Sequence, residues 1–187
     1  MGEPQLGFGL APVEVPHLHR VSPDGRWLAS FDPAGKLALR RVDVAAPQDA
    51  ARTRAIRVDG VSGEVRTLRW SADGTGLIFQ TAKGLFAATP ADDATRTTAR
   101  AIFLAASHSL TQIDDFRILP NGLIVRGNQR LFFVGSATSS TQDLTPAGYR
   151  VMAANVRSAG RIVMVVTPSE ASINSGQLWT LAPSGDG

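Results

Sequence analysis

The stretch Ser22-Pro23-Asp24-Gly25-Arg26-Trp27-Leu28-Ala29 combines a tight-turn signal with an apolar run, and the chain repeats it. Related stretches are Trp70-Ser71-Ala72-Asp73-Gly74, Leu119-Pro120-Asn121-Gly122 and, in weaker form, Ser158-Ala159-Gly160-Arg161. The turn glycines stand at positions 25, 74, 122 and 160, which gives spacings of 49, 48 and 38 residues. A period of about 40 to 50 residues is typical of four-stranded blades arranged around an axis.

Each repeat contains residues that favour a tight turn. Pro23 presets φ for the first corner, and aspartate or asparagine tolerates the second corner. A glycine then supplies a positive φ and leads into the next strand. The residues predicted to form these structural turns are Asp24, Gly25, Asp73, Gly74, Asn121 and Gly122.

Apolar runs flank every turn and predict strands. A third strand follows in each repeat, and fourth strands are predicted at 54–58, 100–104 and 141–144. The run Ile162-Val163-Met164-Val165-Val166 is apolar on both faces, so both faces of its sheet must be covered. The polar stretch 91–99 is expected to form a long surface loop or one short helical turn. The pattern predicts an all-β protein, a β-propeller of about four antiparallel four-stranded blades.

The repeats resemble those of TolB-like (PD40) β-propellers, with WD40-like propellers close behind. Residues 22–29 and 70–74 carry the resemblance, and Gln177-Leu178-Trp179-Thr180-Leu181 is similar to a third strand of such repeats. The Trp-Asp and Gly-His dipeptides that mark WD40 blades are missing, which favours the TolB-like family. This resemblance implies a protein that acts mainly as an interaction platform.

The predicted organisation is an N-terminal extension or closing strand at 1–14, followed by propeller repeats over 15–187. The blades are expected at about 15–60, 61–106, 107–147 and 148–187. Four blades can belong to a partial ring, to a half-ring completed by self-association or by another chain, or to a small closed ring. In the closed ring, residues 5–11 would supply the missing strand of the fourth blade.

Composition sets the broad class of the protein. The chain has 187 residues, 43% hydrophobic and 19% charged, which is typical of globular proteins. It has no cysteine, so disulfides and thiolate metal sites are excluded. No apolar run reaches the ~18 residues of a membrane span, and no signal-peptide pattern is present. We expect a bacterial protein without membrane insertion, in the cytoplasm or the periplasm.

Candidate binding residues come from the first strand of each repeat, which would line the propeller channel. They are His17, His19, Arg66, Arg117, Asp114 and Asp115. His17 and His19 share one face of a strand, but no third ligand is local, so no metal site is predicted. No cofactor is predicted either.

The sequence lacks the usual motifs of catalysis. It has no Gly-x-Ser-x-Gly, Ser-x-x-Lys, His-Glu-x-x-His or Walker motif, so we expect no enzymatic activity. The net charge of +3 comes from dispersed arginines without interleaved aromatics, which argues against nucleic-acid binding. The expected function is a non-catalytic propeller that binds another protein chain or a second copy of itself. The alternatives are a substrate-gating propeller of a larger hydrolase and a small-molecule or glycan module that uses the channel.

Overall fold

The computed structural model describes residues 19–32, 34–42, 55–92, 94–136, 140–157, 161–172 and 175–181. These residues form sixteen strands and one short 3-10 helix, Ala106–His108. The strands build four sheets, three of them wholly antiparallel, which confirms the predicted all-β chain of propeller blades. Within the described residues, no helix has the length and apolarity needed to cross a bilayer.

The four sheets follow one another along the chain and are called blades 1 to 4. Blade 1 contains β1 (Arg20–Val21), β2 (Trp27–Phe31), β3 (Leu37–Arg41) and β4 (Ala55–Asp59). Blade 2 contains β5 (Thr67–Trp70), β6 (Leu77–Thr81), β7 (Gly84–Ala88) and β9 (Arg100–Leu104). Blade 3 contains β10 (Asp115–Leu119), β11 (Gly122–Gly127), β12 (Arg130–Gly135) and β13 (Thr141–Asp143). Blade 4 contains β14 (Tyr149–Val156), β15 (Ile162–Pro168) and β16 (Gln177–Leu181).

One sheet departs from the predicted four strands, and one has the three strands that its own repeat predicts. Residues 91–99, expected to form a loop or a short helical turn, contain β8 (Arg96–Thr98), which pairs in parallel with β4 and gives blade 1 a fifth strand. A strand at the outer edge needs little apolar surface because backbone hydrogen bonds hold it, so its polar sequence gives no periodic signal. Blade 4 has three strands within the described residues. The proposed closing segment 5–11 lies outside them.

Apolar side chains from both faces of the blades form three separate cores. The core between blades 1 and 2 contains Trp27, Leu39, Leu68, Trp70, Phe79 and Phe86. The core between blades 2 and 3 contains Leu85, Phe103, Phe116, Leu123, Val125 and Phe132. The core between blades 3 and 4 contains Ile124, Leu131, Val151, Ile162, Met164 and Val166. Each inner blade therefore packs on both neighbours, as expected for strands that are apolar on both faces.

A buried hydrogen bond also joins blades 2 and 3. The Gln80 side chain on β6 donates from Nε2 to the carbonyl oxygen of Ile113, over 2.7 Å. Gln80 is only 4% exposed, so the amide needs this partner in the interior. The bond fixes the chain just before β10 against the neighbouring blade.

The first two turns share one hydrogen-bond pattern. In each, a serine hydroxyl donates to an aspartate two residues later, Ser22 to Asp24 and Ser71 to Asp73. The same hydroxyl accepts a backbone N–H five residues on, that of Trp27 or Gly76, over 2.9 Å in both cases. Gly25 and Gly74 both have φ of +73°, the left-handed conformation that favours glycine.

The third turn is built differently from the sequence expectation. Leu119 stands where the serine of the other turns would be, and Leu119 pairs directly with Gly122 in the ladder. Only Pro120 and Asn121 remain to close the turn, and Gly122 is the first residue of β11. Gly122 has no left-handed φ, so its predicted role as a turn glycine is wrong. The fourth turn glycine, Gly160, lies outside the described residues.

The serine–aspartate turns predict an acid-sensitive contribution to stability. The hydrogen bond from Ser71, followed by that from the Thr75 backbone, lowers the pKa of Asp73. Folding therefore favours the carboxylate, and this stabilisation is complete above the unfolded-state pKa of about 3.9 and is lost as the pH falls through the lower folded value. We expect Ser71→Ala to raise the pKa of Asp73, as measured by carboxyl-carbon NMR.

Asp143 serves as an internal reference in that titration, because Thr145 and Arg130 contact it and Ser71 does not. Its midpoint should stay the same in the variant. An unchanged midpoint for Asp73 would show that the serine hydroxyl does not hold the turn carboxylate in its ionised form.

Candidate functional site

The first strands of blades 1, 2 and 3 converge at one edge of the molecule. The indole Nε1 of Trp70, on β5, donates to the carbonyl oxygen of Arg20, on β1, over 2.9 Å. On the other side of β5, the guanidinium of Arg69 reaches Asp115 on β10. Side chains on these strands therefore share one surface, although the strands are far apart in sequence.

Strand alternation explains why charged groups lie on this surface. Leu68 and Trp70 point into the core between blades 1 and 2, so Arg69 between them faces away from that core. On β10, Phe116 is buried between blades 2 and 3, and its neighbours Asp115 and Arg117 face the opposite side. Both strands thus keep an apolar packing face while presenting charges at the inner edge.

Asp115 is shared by two arginines from different blades. Its carboxylate lies 3.3 Å from Arg69 Nη2 and 2.8 Å from Arg117 Nη1. The Arg69 guanidinium also lies over the Phe116 ring, with Cζ 5.4 Å from its centre. These contacts hold both guanidinium groups in defined positions, although the side chains remain about one-third exposed.

Arg69 has a further polar atom without a partner in the part of the chain that the structure describes. Its Nε atom is buried and has no hydrogen-bond partner among the described residues. A buried donor without a partner costs about 1–3 kcal/mol. Arg150 Nε and Thr167 Oγ1 are in the same situation, so this feature does not by itself single out Arg69.

We call Arg20, Arg69, Arg117 and Asp115 the inner-strand cluster. Its three arginines line an open depression of about 420 Å³, together with Val21, Pro23, Leu68, Trp70 and Ile118. Asp115 pairs with two of the three arginines, Arg69 and Arg117, and the four side chains together have a formal charge of +2. The surface combines cations with apolar side chains, and Val21 is 57% exposed.

The structure brings together only two of the residues predicted from sequence, Arg117 and Asp115. Asp114 instead accepts hydrogen bonds from Arg126 at 2.9 Å and from Gln112 at 2.7 Å, away from the cluster. Arg66 is exposed just before β5, where its backbone N–H bonds to the Gln80 carbonyl oxygen. Sequence reasoning selected Arg66 in blade 2, whereas Arg69 is the arginine that reaches the cluster.

The predicted histidine pair does not contribute to the cluster. His17 lies outside the described residues, and His19 is exposed beside a separate cleft lined by blade 1 and the loop after β4. Among the described residues, no group of three or more histidine, aspartate or glutamate side chains could hold a metal ion.

Comparison with known proteins identifies the fold. No protein-family model matches the sequence, and no curated protein matches it. A structure named "putative 6-phosphogluconolactonase" from Bacteroides uniformis matches 87% of this chain and 52% of its own, at 15% identity and a TM-score of 0.51. A puromycin-hydrolyzing peptidase from Mycobacterium tuberculosis matches 89% of this chain and 29% of its own, at 16% identity and a TM-score of 0.52.

TolB from Acinetobacter baumannii also matches, over 89% of this chain and 43% of its own, at 17% identity and a TM-score of 0.47. The chain therefore spans about half the length of the lactonase-named structure and less of the other two. At such identities the likeness shows the fold alone, and the TolB-like family within it stays a prediction.

The comparisons correct one prediction from the sequence. The expectation that the chain is not an enzyme is contradicted, because two of the structures with this fold are named for enzymatic activities. The absence of short catalytic motifs is a poor guide, since catalytic groups can come from separate strands and loops that meet only in the fold.

Proposed function

We propose that the chain is a binding propeller whose inner-strand cluster recognises an acidic segment of a protein partner. The observation that carries the proposal is the convergence of Arg20, Arg69 and Arg117 around one depression with Asp115 as the cluster's single carboxylate. Guanidinium groups held in place form short, two-pronged hydrogen bonds to carboxylates.

The apolar residues of the depression favour a peptide over a free inorganic ion. Val21, Pro23 and Ile118 lie beside the arginines, so a ligand with apolar groups next to its carboxylates would bury surface on both. The depression is open and shallow, as suits a segment of a larger partner.

A second candidate is a substrate-binding propeller within an enzyme. The likeness to the lactonase-named structure and to the peptidase favours it, because the same cluster could hold an anionic group of a substrate. The name 6-phosphogluconolactonase specifies hydrolysis of a lactone, so the ligand to test is the acid that this hydrolysis yields, 6-phosphogluconate.

The first experiment measures fluorescence anisotropy with a labelled peptide of alternating glutamate and leucine. A peptide with glutamine in place of glutamate serves as the neutral control. We expect the acidic peptide to bind, and Arg69→Gln and Arg117→Gln to weaken binding about tenfold each, because each removes a charge-assisted hydrogen bond worth about 1.4 kcal/mol. Arg100→Gln, on the outermost strand of blade 2, should leave the affinity unchanged.

The outcomes separate the two candidates. Equal binding of the acidic and neutral peptides, or equal loss in Arg69→Gln and Arg100→Gln, would contradict recognition by the cluster. Binding of 6-phosphogluconate that depends on Arg69, without binding of the acidic peptide, would replace the protein partner with a small anionic ligand.

A further inference from the structure

A second cleft, away from the inner-strand cluster, is lined by blade 1 and by the loop that leads from β4 to blade 2. It has a volume of about 590 Å³, within the range of small-molecule sites. Its apolar wall comes from Phe31, Leu37, Val58, Val61 and Val65. Leu37, Val58 and Val65 belong to the core between these blades, so the wall is part of the packed interior.

The polar side of the cleft is acidic. Asp32, Asp59 and Glu64 line it, with Lys36 as the only lysine or arginine among its described lining residues and His19 at its border. Three carboxylates therefore face one permanent cation. This charge is opposite to that of the inner-strand cluster, so the two sites would select different ligands.

Two of the carboxylates are fixed by the surrounding structure. The Oδ1 atom of Asp32 accepts hydrogen bonds from the backbone N–H groups of Ala34 and Lys36, each over 2.9 Å. The Asp59 carboxylate forms an ion pair with Arg96 at 3.3 Å. The backbone carbonyl oxygen of Asp59 accepts a hydrogen bond from the Ala99 N–H over 2.8 Å. The acidic side of the cleft is thus preformed, which lowers the ordering cost of binding.

Glu64 is the carboxylate best placed to respond to a ligand. It is exposed on the loop between β4 and β5, and neither hydrogen bond nor ion pair engages its side chain within the described residues. An incoming cation would pair with Glu64 without displacing a protein partner. Asp59 already has Arg96, so Asp32 and Glu64 supply most of the unmatched negative charge.

We infer that this cleft binds a small organic cation, an amine carried on an apolar body. The ammonium group would lie toward Asp32 and Glu64, and the apolar body would pack against Phe31, Leu37 and Val65. An apolar wall with a few convergent charged groups is the usual composition of a small-molecule site. This inference does not depend on the function proposed for the inner-strand cluster.

The test uses three probes of similar size and different charge, measured by saturation-transfer NMR and calorimetry on the full chain. They are 2-phenylethylamine, the neutral 2-phenylethanol and the anionic 3-phenylpropanoate. We expect the amine to bind with a Kd on the order of 1 mM, the alcohol at least tenfold more weakly, and the anion not at all. Equal binding of amine and alcohol would overturn the inference.

Variants locate the binding in the cleft. Glu64→Gln should weaken amine binding about fivefold, whereas Glu170→Gln, an exposed glutamate after β15, should not change it. Val61→Lys, which adds a cation to the wall, should abolish binding. Amine binding that survives both Glu64→Gln and Val61→Lys would place the site elsewhere and contradict the inference. Arg69→Gln should leave amine binding intact, which separates this test from that of the inner-strand cluster.

Discussion

Alanine in place of Phe132 is expected to lower the free energy of unfolding by about 4 kcal/mol. Phe132 is 2% exposed in the core between blades 2 and 3. Its ring centre lies 5.6 Å from that of Phe103 and 5.3 Å from that of His108, and the Arg130 guanidinium lies 4.9 Å above it. The substitution would remove a large apolar side chain and leave a cavity between two blades.

Phe133 provides the matched control because it is the next residue on the same strand and points to the opposite face. It is only half-buried and packs against the core between blades 3 and 4. Phe133→Ala should therefore cost about half as much. Urea unfolding measures both losses, and equal losses would contradict the unequal burial of the two faces.

The same two-sided packing explains why the fold could be predicted from sequence. Blades 2 and 3 are packed on both faces, whereas β15 of blade 4 meets the prediction on one face only: Ile162, Met164 and Val166 are buried against blade 3, and Val163 and Val165 are half-buried. A strand that is apolar on both faces signals a sheet between other sheets. The spacing of the turn residues gives the length of each repeat. Together with the predicted strands, this repeat length was sufficient to predict a propeller.

The candidate site was predicted less completely, because it depends on how blades meet. The alternation of β10 placed Asp115 and Arg117 on one face, and that much is visible in the sequence. The contact of Asp115 with Arg69 joins strands 46 residues apart, and no local pattern shows it. The alternation Leu68-Arg69-Trp70 was the available signal, since it turns Arg69 away from the core that holds its two neighbours.

The third turn shows a different limit of sequence reasoning, and it leads to a second large prediction. Asn-Gly between apolar runs predicted a glycine needed for its positive φ. In the structure, a glycine is instead required at position 122 because there is no room for a side chain. In the ladder, Gly122 pairs with Gly135, and a Cβ added to it would collide with the Val134 carbonyl oxygen and lie 2.9 Å from Cε2 of Phe133.

Gly122→Ala is therefore expected to destabilise the chain by about 3 kcal/mol, at the upper end of the usual cost of overpacking. The carbonyl of Val134 belongs to the ladder between β11 and β12, so it cannot move aside without weakening the centre of blade 3. Thermal and urea unfolding measure the loss. Hydrogen exchange should show it first in β11 and β12, where the ladder would open.

Gly76 is the matched control, because it occupies the corresponding place just before the second strand of blade 2. It also lacks a left-handed φ, but a Cβ added there would meet only the Ser71 hydroxyl oxygen, at an ordinary 3.6 Å. Gly76→Ala should be neutral or stabilise the chain by about 0.5 kcal/mol, because alanine restricts the unfolded state. If both variants unfold like the parent, strand β11 can shift away from β12, and the close approach of Val134 does not require a glycine at position 122.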